Sequence, residues 1–416
     1  MRAGRAGWRA VVVGVVLLIV SQFAGVAVAG GDGTGDRLLV TLGWGANGAG
    51  QVGDDTTETR SRAIEVKGGP SAGFSALAAG EGHSLGVGTD RTLWSWGANN
   101  CGQLGSGTTT RRGRPQLVSG LTNLQGVAAG RDFSFAWTGG GQVYAWGCND
   151  KGQLGLGTTG GPVLAPTLVP GLQGVEQVAA GYDHVLALAS DGRVYGWGRN
   201  DDGEIGDGTT VQRAAPVLVS GLSNVREVSA GINHSLAVTN GDVMFSWGSN
   251  ADGRLCLGTF SAQDQLVPVS LDSVPIKSVA AGGHHTLAIG IHASGDRAVY
   301  SCGQNDYGQI GWSSGPSPYA DRAALSEPTA LGVKAISAGA DFSVITYEVD
   351  GKTRLYTKGR NNFGQLGRVL DPGQEKSHTF FPVEHGSVPD PGEVIAEGAA
   401  TGSSARHAMA FQAERP

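Results

Sequence analysis

One short phrase recurs seven times at a near-constant interval, and it limits the architectures open to this chain more than any other feature. Its fullest copy is Trp146-Gly147-Cys148-Asn149-Asp150-Lys151-Gly152-Gln153-Leu154-Gly155. Counting from the copy at Trp44, the others begin at Trp96, Trp146, Trp197, Trp247, Cys302 and Lys358, so successive starts lie 52, 50, 51, 50, 55 and 56 residues apart. A fixed period of this size marks an array of like units that bury their apolar faces against one another. A second phrase keeps step with the first: Ala-Gly, two variable residues, then His-Ser-Leu or a relative. It places His83, Phe133, His184, His234, His285 and Phe342 at one position, and a degraded copy near the C-terminus places His407 there.

Residues 174–220 show what one unit holds. Val175 to Gly181 is a short apolar run, and His184 to Ala189 follows it. Ser190-Asp191-Gly192-Arg193 reads as a hairpin turn, because Asp-Gly supplies the positive φ that a tight turn demands. Val194 to Gly198 alternates large and small at period two, the mark of a strand. After a second turn at residues 200–203, Pro216 to Val219 is a last extended run beside prolines, expected at a sheet edge. Four short strands in about fifty residues, with no helical period, make one blade of a β-propeller. The fold expected is therefore all-β: a seven-bladed propeller over residues 36–416. Trp44, Trp96, Trp146, Trp197 and Trp247 are expected to pack between blades. The chain starts in mid-unit at residues 37–44 and ends with the complementary half at residues 394–411, so the N- and C-terminal segments are expected to pair in one sheet and close the ring.

Residues 1–29 read differently. Arg2, Arg5 and Arg9 precede an apolar run from Val11 to Val20, and Ala27-Val28-Ala29 is a small-x-small cleavage signal. That order is a secretory signal peptide, with cleavage after Ala29, residues 30–35 as a short linker, and a destination outside the cell or in its envelope. The rival is an uncleaved anchor, which alone would tie the chain to a membrane. The full chain carries a net charge of −6, and losing three leader arginines leaves −9. An acidic chain with no Lys/Arg runs offers no footprint for nucleic acid. Four cysteines permit three pairings. Cys101 and Cys148 fall in the repeated phrase of neighbouring units and are the first pair to try; the alternative is four drifted positions, Cys302 simply replacing a tryptophan.

Together the two phrases resemble the regulator of chromosome condensation repeat family, over essentially the whole of residues 36–416. The resemblance implies a seven-bladed propeller independently of the strand reading, and it implies no single activity. Members include a nuclear exchange factor for the GTPase Ran, a plant ultraviolet photoreceptor and a secreted bacterial β-lactamase inhibitor. The leader argues against a nuclear role. No tryptophan occupies the first variable position of the second phrase, where Glu81, Arg131, Tyr182, Ile232, Gly283 and Ala340 stand, which argues against a tryptophan-based light sensor. The secreted inhibitor fits the leader, although its repeats are shorter and its rim richer in aromatics.

No motif reads as a nucleophile elbow, a phosphate loop or a metal-ligand set, so no catalytic residue, cofactor or metal is expected. His83, His184, His234, His285 and His407 recur at like places and are read as structural. Asp132, Asp183 and Asp341 share the second variable position and form either an acidic arc or local turn residues. Glu81, Arg131, Asp132, Tyr182, Asp183, Ile232 and Asn233 stand where the repeat imposes no identity, and a protein partner is expected to be read there. Three stretches break the period: residues 259–267, 312–327 and 368–381, the last two bearing Trp312, Tyr319, Phe380 and Phe381. The chain is thus expected to be a monomeric, exported protein-interaction module, with a secreted enzyme inhibitor and a cell-wall glycan binder or hydrolase as the alternatives.

Overall fold

The computed structural model describes residues 40–260, 265–271, 274–311, 332–349, 352–371, 374–384 and 398–412. The leader and linker lie outside these residues, as do Trp312 and Tyr319. Among the described residues no helix is long and apolar enough to cross a membrane. Their strands form seven antiparallel sheets arranged as the blades of a propeller. In residues 175–218 the strands are Val175–Ala180, His184–Ala189, Val194–Gly198 and Arg213–Leu218, paired in that order. The last begins earlier than its prolines suggest.

We number the blades along the chain: first (residues 74–118), second (124–168), third (175–218), fourth (225–271), fifth (276–303) and sixth (333–382). The fifth has three described strands, the others four. The innermost strands line the axis with small side chains, among them Ala78, Ala129, Ala179, Ala230, Ala280 and Ala338, because seven strands converge there. Pro115, Pro166, Pro216 and Pro268 interrupt the outermost strands, leaving those edges short of donors and poor templates for another chain. Two of the stretches read as insertions are partly strand: Gln265–Leu271 and Lys376–Pro382 each pair with the third strand of their blade. Phe380 and Phe381 therefore belong to the sixth blade's outer strand.

The closing blade is shared by both ends of the chain. Val40–Gly45 pairs with Arg60–Glu65 on one side and with His407–Gln412 on the other, and Gly398–Ala400 completes the sheet inward.

The repeated phrase makes the joints between blades. Within it, Asn149 Oδ1 accepts from the Leu154 N–H at 3.1 Å and Gln153 Oε1 accepts from the Lys151 N–H at 2.8 Å, which folds the loop back on itself. The Gln153 carbonyl, now facing the next blade, accepts Trp197 Nε1–H at 2.9 Å. Trp96, Trp146, Trp247 and Trp44 donate in the same way to residues 51, 103, 204 and 365. All five indoles are fully buried. The phrase's last glycine gives the indole room: a Cβ at Gly155 would lie 2.8 Å from Trp197 Nε1, and φ there is +71°.

At one joint this socket is replaced by a covalent bond. Cys256 stands in the glycine place of the fourth blade and Cys302 in the tryptophan place of the fifth, and the two form a disulfide. Cys302 is thus no drifted position. Cys101 and Cys148, in the phrases of the first and second blades, form the other bridge, and no cysteine is free. Each bridge closes a loop of 47 or 46 residues. On the chain-entropy account such a loop is worth about 4 kcal/mol. Replacing Cys101 and Cys148 together by serine is therefore expected to lower stability by about that amount, read from urea unfolding. A loss under ~1 kcal/mol would mean that the native joint, rather than the unfolded chain, absorbs the change.

The second phrase adds a polar tie. His83, His184, His234, His285 and His407 are fully buried, and each Nε2 meets a hydroxyl on the next blade: Ser134, Ser235, Thr286, Ser343 and Ser84, at 2.8–3.1 Å. Those hydroxyls in turn donate to the carbonyls of residues 103, 204, 254, 309 and 51. The hydroxyl's proton is committed, so the imidazole donates and is held as the Nε2–H tautomer. Where phenylalanine replaces histidine the next blade carries no hydroxyl: Val185 follows Phe133, and Ala408 follows Phe342. Ser235→Ala should leave a buried donor unpaired and cost about 1–3 kcal/mol. The double change His184→Phe/Ser235→Val copies the Phe133 joint and is expected to recover at least half of that loss. A double-mutant cycle showing no coupling would refute the pairing.

Candidate functional site

Both phrases open on the same face of the propeller, since the first strand of each blade runs toward it and the third strand returns to it. Around the axial mouth the first variable positions are linked through the backbone. The N–H of Glu81 donates to the Arg131 carbonyl, Arg131 to Tyr182, Tyr182 to Gly231, Ile232 to Gly283, Gly283 to Ala340 and Ala340 to Ala405, at 3.1–3.4 Å. Links made by backbone leave the side chains at those positions free to differ. Glu81, Arg131, Tyr182 and Ile232 are all partly exposed.

The second variable positions behave otherwise. Asp183 is 5% exposed and its carboxylate sits 3.2 Å from the Arg131 guanidinium, which also contacts Asp132 at 3.2 Å and lies 4.6 Å above the Tyr182 ring. Burial pushes the Asp183 carboxyl up to about 6, against the pull of Arg131, Arg199 and Lys151. Asp341 pairs with Arg360 at 3.1 Å. Each aspartate of the arc thus has an arginine partner, with Arg131 serving both Asp132 and Asp183, and the buried Asp183 helps to hold Arg131 in place. Asn233 donates to Asp202 at 2.7 Å and belongs to a polar cluster in which Arg199 reaches Asp201, Asp202 and Glu204 at 2.8–3.0 Å. Glu204 is fully buried, and burial pushes it up to about 7 despite Arg199. Burial also raises Glu81, with Arg406 opposing.

The mouth is therefore a scaffold displaying Arg131, Tyr182, Ile232 and Glu81 from four consecutive blades. Arg360 over Tyr307 at 4.6 Å and Arg406 over Phe363 at 5.5 Å extend the alternation of arginine and aromatic into the sixth and closing blades. Tyr307, Phe363 and these arginines are not singled out by the sequence: Tyr307 and Phe363 fall in the variable pair of the first phrase, Arg360 in its third position and Arg406 just before His407 in the second phrase, and their proximity at the mouth follows only from the fold. Among the described residues no group of three or more His, Cys, Asp or Glu side chains is placed to hold a metal ion.

The model of the RCC1-like domain matches residues 27–288, more than half of the chain. The chain belongs to the RCC1-like domain family. In sequence it is similar to the ultraviolet-B receptor UVR8 of Arabidopsis thaliana, 33% identical over 298 residues that make up 70% of this chain and 54% of the receptor. It is also similar to the human probable E3 ubiquitin-protein ligase HERC6, 32% identical over 77% of this chain and 26% of the ligase. The chain spans about half or less of the length of these curated relatives. In fold it resembles Prp20p of Saccharomyces cerevisiae, with a TM-score of 0.76 at 22% identity covering 92% of this chain and 93% of that one; that structure was reported with binding to Gsp1p and histones. It likewise resembles human WBSCR16, with a TM-score of 0.74 at 23% identity over 91% of this chain and all of that one.

Proposed function

We propose that this RCC1-like propeller is an exported protein-interaction module that reads its partner at the phrase-bearing mouth. The observation that carries this reading is the division of labour there. Backbone hydrogen bonds link the blades there, and the side chains displayed at those positions differ from blade to blade. Arginine and tyrosine are the residue types in which interface hot spots concentrate. The pairing of all four cysteines supports an oxidising destination, in keeping with the leader. The partner that Prp20p is reported to bind belongs to that protein, and the light-receptor likeness does not extend to tryptophan at the first variable position.

The test is a pull-down with residues 30–416 against secreted and envelope proteins, beside the variant Arg131→Ala/Tyr182→Ala/Ile232→Ala. A partner captured by the native chain and lost by the variant supports the reading. A partner retained by the variant moves the interface to another surface, and capture of nothing overturns the module.

A further inference from the structure

The two disulfides sit in unlike surroundings. Cys256 and Cys302 are 4% and 0% exposed and fill the socket that glycine and tryptophan fill elsewhere, so that joint has no other filling. Cys101 is only partly buried and lies in the first blade's turn on the phrase-bearing face. That joint already has its socket, with Trp146 Nε1–H on the Gln103 carbonyl at 2.8 Å, and needs no disulfide to close it. The Cys101–Cys148 bridge instead grips the groups behind the mouth. The Cys101 N–H donates to Gln103 Oε1 at 2.9 Å, and Gln103 Nε2 donates to Asp132 Oδ1 at 3.1 Å. The Cys148 N–H donates to the Asp132 carbonyl at 2.9 Å. Asp132 then contacts Arg131, which lies over Tyr182.

We propose that the Cys101–Cys148 bridge is a redox-sensitive brace on the display of Arg131 and Tyr182, and that Cys256–Cys302 is a permanent joint. As a statement about regulation, it rests on the reading of this mouth as the partner site. Opening follows ordinary exchange. The thiolate of a dithiol reductant attacks the Cys101 sulfur, the Cys148 thiolate leaves and takes a proton, and the reductant's second thiolate displaces Cys101. The protein gains two electrons and two protons, and the dithiol becomes a disulfide. Access decides the order, and the buried pair offers none.

The experiment treats the folded chain with dithiothreitol, traps free thiols with iodoacetamide over time, and reads each cysteine by mass spectrometry. Cys101 and Cys148 are expected to be alkylated at least tenfold faster than Cys256 and Cys302. In the half-reduced protein, and in the variant Cys101→Ser/Cys148→Ser without reductant, hydrogen exchange at the amides of Arg131 and Cys148 should quicken at least fivefold. Exchange at Ile232 and Ser249, the equivalent amides of the fourth blade, whose own Cys256–Cys302 bridge stays closed, should not change. Equal alkylation of all four cysteines overturns the proposal, and so does unchanged exchange at Arg131 and Cys148 once the bridge is open. Neither readout needs a partner, so an empty pull-down would remove the module reading while the brace is judged on its own result.

Discussion

A chain that stops at residue 397 is expected to lose its cooperative unfolding transition altogether. The deletion removes the two inner strands of the closing blade, and with them both of that blade's junctions. Val40–Gly45 loses six paired residues. On the first-blade side, Ala405 and Met409 leave the cluster that covers Phe74, Leu77 and Trp96, and Ser84 loses His407. On the sixth-blade side, Ala408 and Ala410 leave the cluster around Trp44, Phe342, Val344 and Leu355, and the Ala340 N–H loses the Ala405 carbonyl. Emptying a buried methionine site alone costs about 2–5 kcal/mol, and each orphaned buried polar group ~1–3 kcal/mol. Summed over two junctions, this reaches the whole stability of an ordinary domain, about 5–15 kcal/mol. Calorimetry of the truncated chain should show no sharp transition. A six-blade remainder melting at the native midpoint would show that the ring does not depend on its closure.

The fold was legible because each phrase encodes one side of a joint whose other side lies about fifty residues on. Trp197 without Gly155, or His184 without Ser235, reads as an isolated core residue; matched across neighbouring blades, each becomes a contact. The same matching exposes the Cys256–Cys302 bridge, where glycine and tryptophan are lost together from mated positions, and comparison of each phrase with its neighbour would have found it. The pairing of both chain ends in one sheet needed only the half-units at the termini. The mouth was harder to read. Its ring is made by backbone N–H and carbonyl groups, which leave no trace in residue identity. The contact of Arg131 with Asp183 joins different columns of the repeat, so periodicity alone does not align the two. The recurrence of aspartate leaves an acidic arc and local turn residues both open; only the fold shows that Asp183 is buried and that Asp132, Asp183 and Asp341 each meet an arginine.

Acid should unfold this protein steeply, and at a pH set by its histidines. Burial pushes His83, His184, His285 and His407 down to about 3, and His234 well below its ordinary value. Their Nδ1 atoms have no hydrogen-bond partner, so a second ring proton would be both buried and unpaired. A depressed folded value means stability that is present above the unfolded value near 6.5 and lost as pH falls from there toward 3. Three carboxyls act in the opposite sense. Burial pushes Glu227 up to about 8, Glu204 up to about 7 and Asp183 up to about 6. Their contribution is lost as pH rises through those values, so acidification restores it until the unfolded carboxyls, near 4, are themselves protonated. Between pH 7 and 5 the carboxyls offset roughly half of the histidine loss. Below about pH 5 that offset fades as the unfolded carboxyls take up protons, the histidines dominate, and stability should fall by roughly 4–5 kcal/mol per pH unit. Urea unfolding at pH 7.5, 6, 5 and 4.5 measures the curve, and Glu227→Gln tests its composition. Gln177 holds the equivalent place one blade earlier, its Oε1 accepting from the Val228 N–H at 3.0 Å and its Nε2 donating to the Val228 carbonyl at 2.9 Å. A glutamine at 227 can make the same pair of bonds to Val279, where Glu227 now accepts from the Val279 N–H. The variant should be more stable than the native chain at pH 8 and fall away faster between pH 7 and 5, because one of the three counterweights is gone. Level stability from pH 7 to 4 in both proteins would mean that the five imidazoles accept protons without leaving the fold.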